Sequence, residues 1–205
     1  MLNLTDWERK TLEQLLDSGI RKSIDSMAKL SHTEWEVVSV SLKDGAPERF
    51  LKEFANDASH YRGVHVTTQK SCPLHFLVMF SAESSKSLIK ALGEAYNIDM
   101  AKMAEANRIM LEEAGNILVG SFLNTLADCS KTMIMAAAPQ YREGTKEKLL
   151  AGALEDLNKQ IGSSDHVLMV RITMYAGSLL ADCDYLVIAS GQYLKELVST
   201  VSING

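Results

Sequence analysis

The chain carries little with which to do covalent chemistry alone. Its three cysteines, Cys72, Cys129 and Cys183, are far apart, form no CxxC pair and show no metal-ligand spacing. They read as reduced, mostly buried thiols of a reducing compartment. No apolar run approaches the roughly 18 residues of a membrane span. The opening stretch MLNLTDWERKTLEQLL is charged and amphipathic, without a signal peptide's apolar region, so a cytoplasmic location is expected. No run of lysine and arginine is present, and 21 basic against 26 acidic residues leave a net charge of −5. That balance argues against electrostatic binding of nucleic acid. GxGxxG, a Walker loop and a hydrolase nucleophile elbow are all missing.

What is present is an ordinary globular balance, 46% hydrophobic and 23% charged over 205 residues. That length suits one large domain or two fused halves with a shared core. Thr5 or Asp6 can cap a first helix whose apolar positions Leu12, Leu15, Leu16, Ile20, Ile24, Met27 and Leu30 fall at helical spacing. WEVVSVSL (35–42) alternates and is β-branched, which predicts a strand; DGAP (44–47) predicts a turn, and PERFLKEFANDA fits a short helix. Strands are predicted over 63–70 and 73–81, then a helix over 84–97. A second long helix is expected from about Met100 to Ser130, and a strand over TMIMAAA (132–138) stopping at Pro139. A helix over 145–162, strands over 166–177 and 180–190 and a closing helix over 191–203 complete the series.

The order repeats: long helix, strand, variable segment, two strands, helix. At an offset of 99 residues Leu12-Glu13 falls on Leu111-Glu112, Met27-Ala28 on Leu126-Ala127, and Ser31 on Ser130. An internal duplication follows, with repeats of about 1–98 and about 99–205 in a single domain. Two such halves related by a pseudo-twofold would join their strands in one sheet system with long helices outside, an α+β arrangement.

The helix segment EEAGNILVGSFLNTLAD (112–128) holds two glycines, Gly115 and Gly120, each costing about 1 kcal/mol relative to alanine. At 100° per residue, Met110, Leu111, Ala114, Ile117, Leu118, Ser121, Phe122 and Thr125 share a core face. Glu113, Asn116 and Gly120, with Ile109 a turn earlier, share a second, outward face flanked by Val119 and Leu123. Gly115 sits between the two faces, where it would allow close packing against a neighbouring helix. On spacing alone an exposed Glu and Asn three residues apart are ordinary solvated surface. The glycines and the apolar flank instead suggest a docking surface with two polar groups at its centre. An amide can orient a water and a carboxylate can hold a cation, parts that a catalyst acting on a partner's site could supply.

Glu113-Ala-Gly-Asn116 is followed by residues 117–138 and then Pro139. This resembles the motif of the CheC/CheX/FliY family of chemotaxis phosphatases: Glu, two residues, Asn, then 22 residues and a Pro. The surrounding EAGNI, Gly120-Ser121, LAD (126–128) and PQ (139–140) are similar to CheC. The resemblance implies a CheC-like α+β fold with a central antiparallel sheet and long helices outside. It implies hydrolysis of the aspartyl-phosphate of a phosphorylated CheY-like receiver domain, with Asn116 orienting the water and Glu113 pairing with the receiver's lysine. The magnesium ion would be supplied by the receiver, with no cofactor or metal bound by this chain. Gly115, Val119, Gly120 and Leu123 would form the partner-binding surface.

Two departures stand out. Ile109 occupies a position where the family usually has Asp or Ser. In the first half, Gln14, Asp17 and Arg21 fall where Glu113, Asn116 and Gly120 stand, so that site reads as lost. A non-catalytic adaptor that docks on phosphorylated receivers, or on a CheD-type deamidase, is the alternative. Elsewhere, His65 and His75 lie on strands that could be neighbours but lack a third metal ligand. Met133, Met135, Met169 and Met174 read as core filler, and KSCP (70–73) as a turn.

Overall fold

The computed structural model describes residues 4–97, 105–162 and 166–201. Helix α1 (Asp6–Ser31) begins at a capping box: Thr5 Oγ1 accepts from the Glu8 amide, and Glu8 Oε2 accepts from the Thr5 amide. It stops where His32 turns left-handed at φ 49°. Strand β1 (Glu36–Gly45), helix α2 (Pro47–Phe54), hairpin strands β2 (Tyr61–Thr67) and β3 (Leu74–Ser81) and helix α3 (Ala82–Ala95) complete the first half. The second half repeats the series as α4 (Ala106–Ser130), β4 (Gln140–Gly144), α5 (Lys146–Ile161), β5 (Val167–Ala176), β6 (Ala181–Ser190) and α6 (Gly191–Thr200). The expected helical turn at Met100 to Ala104, and the last residues of the closing helix, lie outside the described residues.

All six strands form one antiparallel sheet in the order β1-β5-β6-β3-β2-β4. The first strand of each half therefore pairs with the hairpin of the other. The register obeys the same pseudo-twofold: Gly45, at the end of β1, lies opposite Val167, and Gly144, at the end of β4, lies opposite Tyr61. Leu77 and Leu186 face each other at the centre.

Helices α1, α3, α4 and α6 cover one face of the sheet around Phe76, Phe122 and Tyr185; α2 and α5 cover the other around Phe50, Leu150 and Leu157. Packing is closest where α1 crosses α4. A Cβ on Gly19 would stand 2.7 Å from the Phe122 ring, and Ser23 Oγ donates to the Leu118 carbonyl at 2.9 Å. Small residues let the helices meet there, so both long helices run beside each other on the sheet.

One predicted strand is displaced. Over 132–138 the only pairing is a bridge between Ala136 and Thr68, and the strand forms after Pro139 instead. This segment runs past the end of β2, where only Thr67 to Gln69 remain to pair with it. Proline, which cannot donate to a ladder, stands just before β4. Met133 and Met135 are consequently 78% and 62% exposed, which overturns their reading as core filler; Met169 and Met174 are buried.

Candidate functional site

Helix α4 leaves a narrow stripe open. Ile109, Glu113, Asn116 and Asn124 are exposed and Gly120, between them, is partly so. Successive members are three or four residues apart, so they line up on one side of the helix. Among the described residues neither the Glu113 nor the Asn116 side chain has a hydrogen-bond or ion-pair partner, which leaves both side chains free for solvent or another molecule. A Cβ built on Gly120 would meet nothing within 4 Å. Its missing side chain serves no contact inside this chain.

The other three residues expected at the partner surface point elsewhere. Val119 is 0% and Leu123 3% exposed, both in the core with Phe122. The reason is that α4 is covered on several sides, by α1, α3, α6, β2 and β4, so its open stripe is narrower than an amphipathic helix on a surface would show. Gly115 is buried too, and its close neighbour is a strand and not a helix: a Cβ there would stand 2.6 Å from Val64 Cγ1 on β2. Thus Gly115 seats α4 on the sheet, and the apolar component of the open stripe is Ile109.

A residue not singled out from the sequence, Glu112, ties the start of β4 to α4. Glu112, half-buried, accepts from the Tyr141 amide at 3.2 Å and from Arg108 Nε at 3.1 Å. It holds the start of β4, just after Pro139, against the helix that carries Glu113 and Asn116. The signal was available: the repeat alignment sets Glu112 opposite Glu13, so a carboxylate recurs there in both halves. In the first half, Arg21 is exposed and its Nε lies 2.8 Å from Asp17 Oδ2, so the two residues replacing Gly120 and Asn116 are tied to each other.

His65 and His75 do meet, on the opposite face of the sheet, under α5. His65 Nε2 and His75 Nδ1 are 3.1 Å apart, and His75 Nε2 lies 2.7 Å from Gln160 Oε1. His65 Nδ1 is buried without a hydrogen bond, 3.8 Å from Asp156 Oδ2. Burial, aided by the Arg142 charge, pushes His65 down to about 3, and burial lowers His75 as well. Among the described residues no group of three or more His, Cys, Asp or Glu side chains could hold a metal. Cys72 in the KSCP turn is buried, and burial pushes its thiol up, away from a reactive thiolate. No described helix is long and apolar enough to cross a membrane.

No family model matches this sequence, and no curated protein does. Solved structures do match. FliY from Thermotoga maritima superposes with a TM-score of 0.67 at 13% identity, covering 96% of each chain. The FliM middle domain from H. pylori gives 0.65 at 9% identity, covering 97% of this chain and 100% of its own. The chemotaxis protein CheX from Desulfovibrio desulfuricans gives 0.55 at 9% identity, covering 85% and 97%. The α+β architecture with its single six-stranded antiparallel sheet is thus the fold shared by the CheC/CheX/FliY proteins and the FliM middle domain.

Proposed function

We propose that this protein is a phosphatase acting on the aspartyl-phosphate of a CheY-like receiver domain. The observation that carries the reading is the open stripe of α4: Glu113 and Asn116 side by side and unpartnered, with clear space over Gly120. In this reading the receiver lies along the stripe. Asn116 enters its active site and orients a water through its neutral amide, which adds no negative charge beside the phosphoryl group. The water attacks phosphorus, the bond to the aspartate oxygen breaks, and inorganic phosphate and a free carboxylate leave. Glu113 pairs with the receiver's lysine and fixes the docking. The receiver supplies magnesium. Phosphoryl transfer is governed by positioning and electrostatics, so one amide and one carboxylate are a sufficient contribution.

The test is phosphate release from a phosphorylated CheY-like partner. Asn116→Ala should slow it by about 100-fold, the scale of losing one positioned polar group, while leaving the melting temperature unchanged. Equal rates for wild type and Asn116→Ala would remove the catalytic reading.

A second reading is a non-catalytic adaptor for phosphorylated receivers or for a CheD-type deamidase. It is favoured by the FliM likeness, since a FliM of this fold is known in complex with FliG. Capture of phosphorylated and unphosphorylated receivers, run beside the rate assay, separates the readings: binding without turnover would support the adaptor.

A further inference from the structure

The helical layer does not reach the β1 edge of the sheet. Between α1 and β1 runs a groove of about 720 Å³. Its floor is apolar, made by Leu16, Ile20 and Ile24 of α1 and Val37, Val40 and Leu42 of β1. Val37 and Val40 are exposed, although both sit on the same side of the sheet as the main core. The walls are acidic. Glu13, Asp17 and Asp25 line the groove along α1 against one cation, Arg21, which already lies 2.8 Å from Asp17. Beyond Ile24 and Asp25 the depression continues into a second one of about 750 Å³, where Glu34 and Glu36 join the acidic side and His32 is the one basic type.

We propose that this groove docks a basic amphipathic helix of another protein. Three observations select that occupant. An apolar floor left open at Val37 and Val40, on a sheet face otherwise covered by helices, calls for one more helix, placed beside α1 as α1 is placed beside α4. The excess of carboxylates on the walls complements lysine and arginine at the margins of the guest's apolar face. Finally, an added strand fits poorly: the register of β1 shifts between Val37 and Ser39, and this bulge interrupts the edge a strand would extend. From Glu13 to Asp25 the groove follows α1 for about 18 Å, room for a guest helix of about 12 residues. This inference does not rest on the phosphatase reading, whose site lies on α4.

The experiment uses the full chain and a labelled model helix of about 14 residues with leucine on one face and lysine on the other, followed by fluorescence anisotropy. A matched peptide with glutamate for lysine is the comparison. The lysine peptide should bind and weaken with salt, and the glutamate peptide should not bind. Val40→Gln and Asp25→Lys, at opposite parts of the groove, should each weaken binding by about tenfold or more with melting temperatures like wild type. Asn116→Ala should bind like wild type, so failure here and failure of the phosphatase reading are told apart. Equal binding of the two peptides, or groove variants that bind like wild type, would overturn the proposal. So would sedimentation showing a self-associated chain that Val40→Gln converts to monomer, because a second copy would then be the occupant.

Discussion

Gly115 and Val64 are in contact so close that a single methyl group on the glycine would stand 2.6 Å from Val64 Cγ1 and 2.8 Å from its Cβ. Five residues further along the same helix, Gly120 faces open space. The two glycines of α4 thus have opposite roles, and they should respond oppositely to alanine. Gly115→Ala forces α4 off β2 and should cost about 1–3 kcal/mol. Gly120→Ala should stabilise by about 0.5–1 kcal/mol, since alanine is the better helix former where it meets nothing. If the stripe is the docking face, Gly120→Ala should also slow receiver dephosphorylation. Urea melts and phosphate release on the same two proteins read both effects, and a Gly120→Ala protein more stable and fully active would remove Gly120 from the interface.

Glu112 is the link between α4 and the strand that follows Pro139. In Glu112→Ala the Tyr141 amide loses its acceptor, at a cost of about 1 kcal/mol. Faster hydrogen exchange at the Tyr141 amide, with little change at Val64, is the expected local signature. Unchanged exchange at Tyr141 would mean that β4 is held by its pairing with β2 alone.

The buried histidine pair sets an acid limit on stability. An unfolded histidine titrates near 6.5, whereas His65 in the fold is held down to about 3 by burial. Between these values the unfolded chain binds more protons, so stability is full above pH 6.5 and falls as the pH drops. Each unit below 6.5 removes about 1.4 kcal/mol, or about 2 kcal/mol by pH 5 from His65 alone. The His65 contribution is exhausted near pH 3, while Asp156 and Asp184, both held below the ordinary carboxylate value, add a loss of the same sign as the pH falls through the acid range. His65→Gln should shrink the difference in melting temperature between pH 7.5 and pH 5; an undiminished difference would assign the acid sensitivity to other groups.

The first-half helix offers a gain-of-function test. Gln14→Glu, Asp17→Asn and Arg21→Gly, made together in the Asn116→Ala protein, rebuild on α1 the pattern that α4 carries. Because α1 and α4 are related by the register symmetry of the sheet, the phosphatase reading expects some of the activity lost in Asn116→Ala to return. Activity staying at the Asn116→Ala level would show that α1 lacks the surroundings the site needs.

Much of this architecture could be read in advance, and the failures share a cause. Among the described residues, periodicity located the six α-helices and five of the six strands, because apolar spacing reports which side of an element is buried. It also put Glu113, Asn116 and Gly120 on one outward line. It misplaced Val119 and Leu123 because a helix packed on several sides buries flanks that a simple two-faced helix would expose. The run TMIMAAA has strand-like composition, but whether it pairs depends on how far β2 extends, which composition does not encode. The contact between His65 and His75, like that between Glu112 and Tyr141, depends on strand register and on the crossing of distant elements.

The exchange of first strands between the halves has a consequence for synthesis. β1 is made early, yet its only partner among the described residues, β5, begins at Val167. β4 finds its partner β2 already made. While the ribosome adds the intervening residues, the exposed valines of β1 have no strand beside them, and the first half cannot finish its sheet alone. The halves must therefore mature together late in translation, a stage at which a chaperone or a second nascent chain could compete for β1.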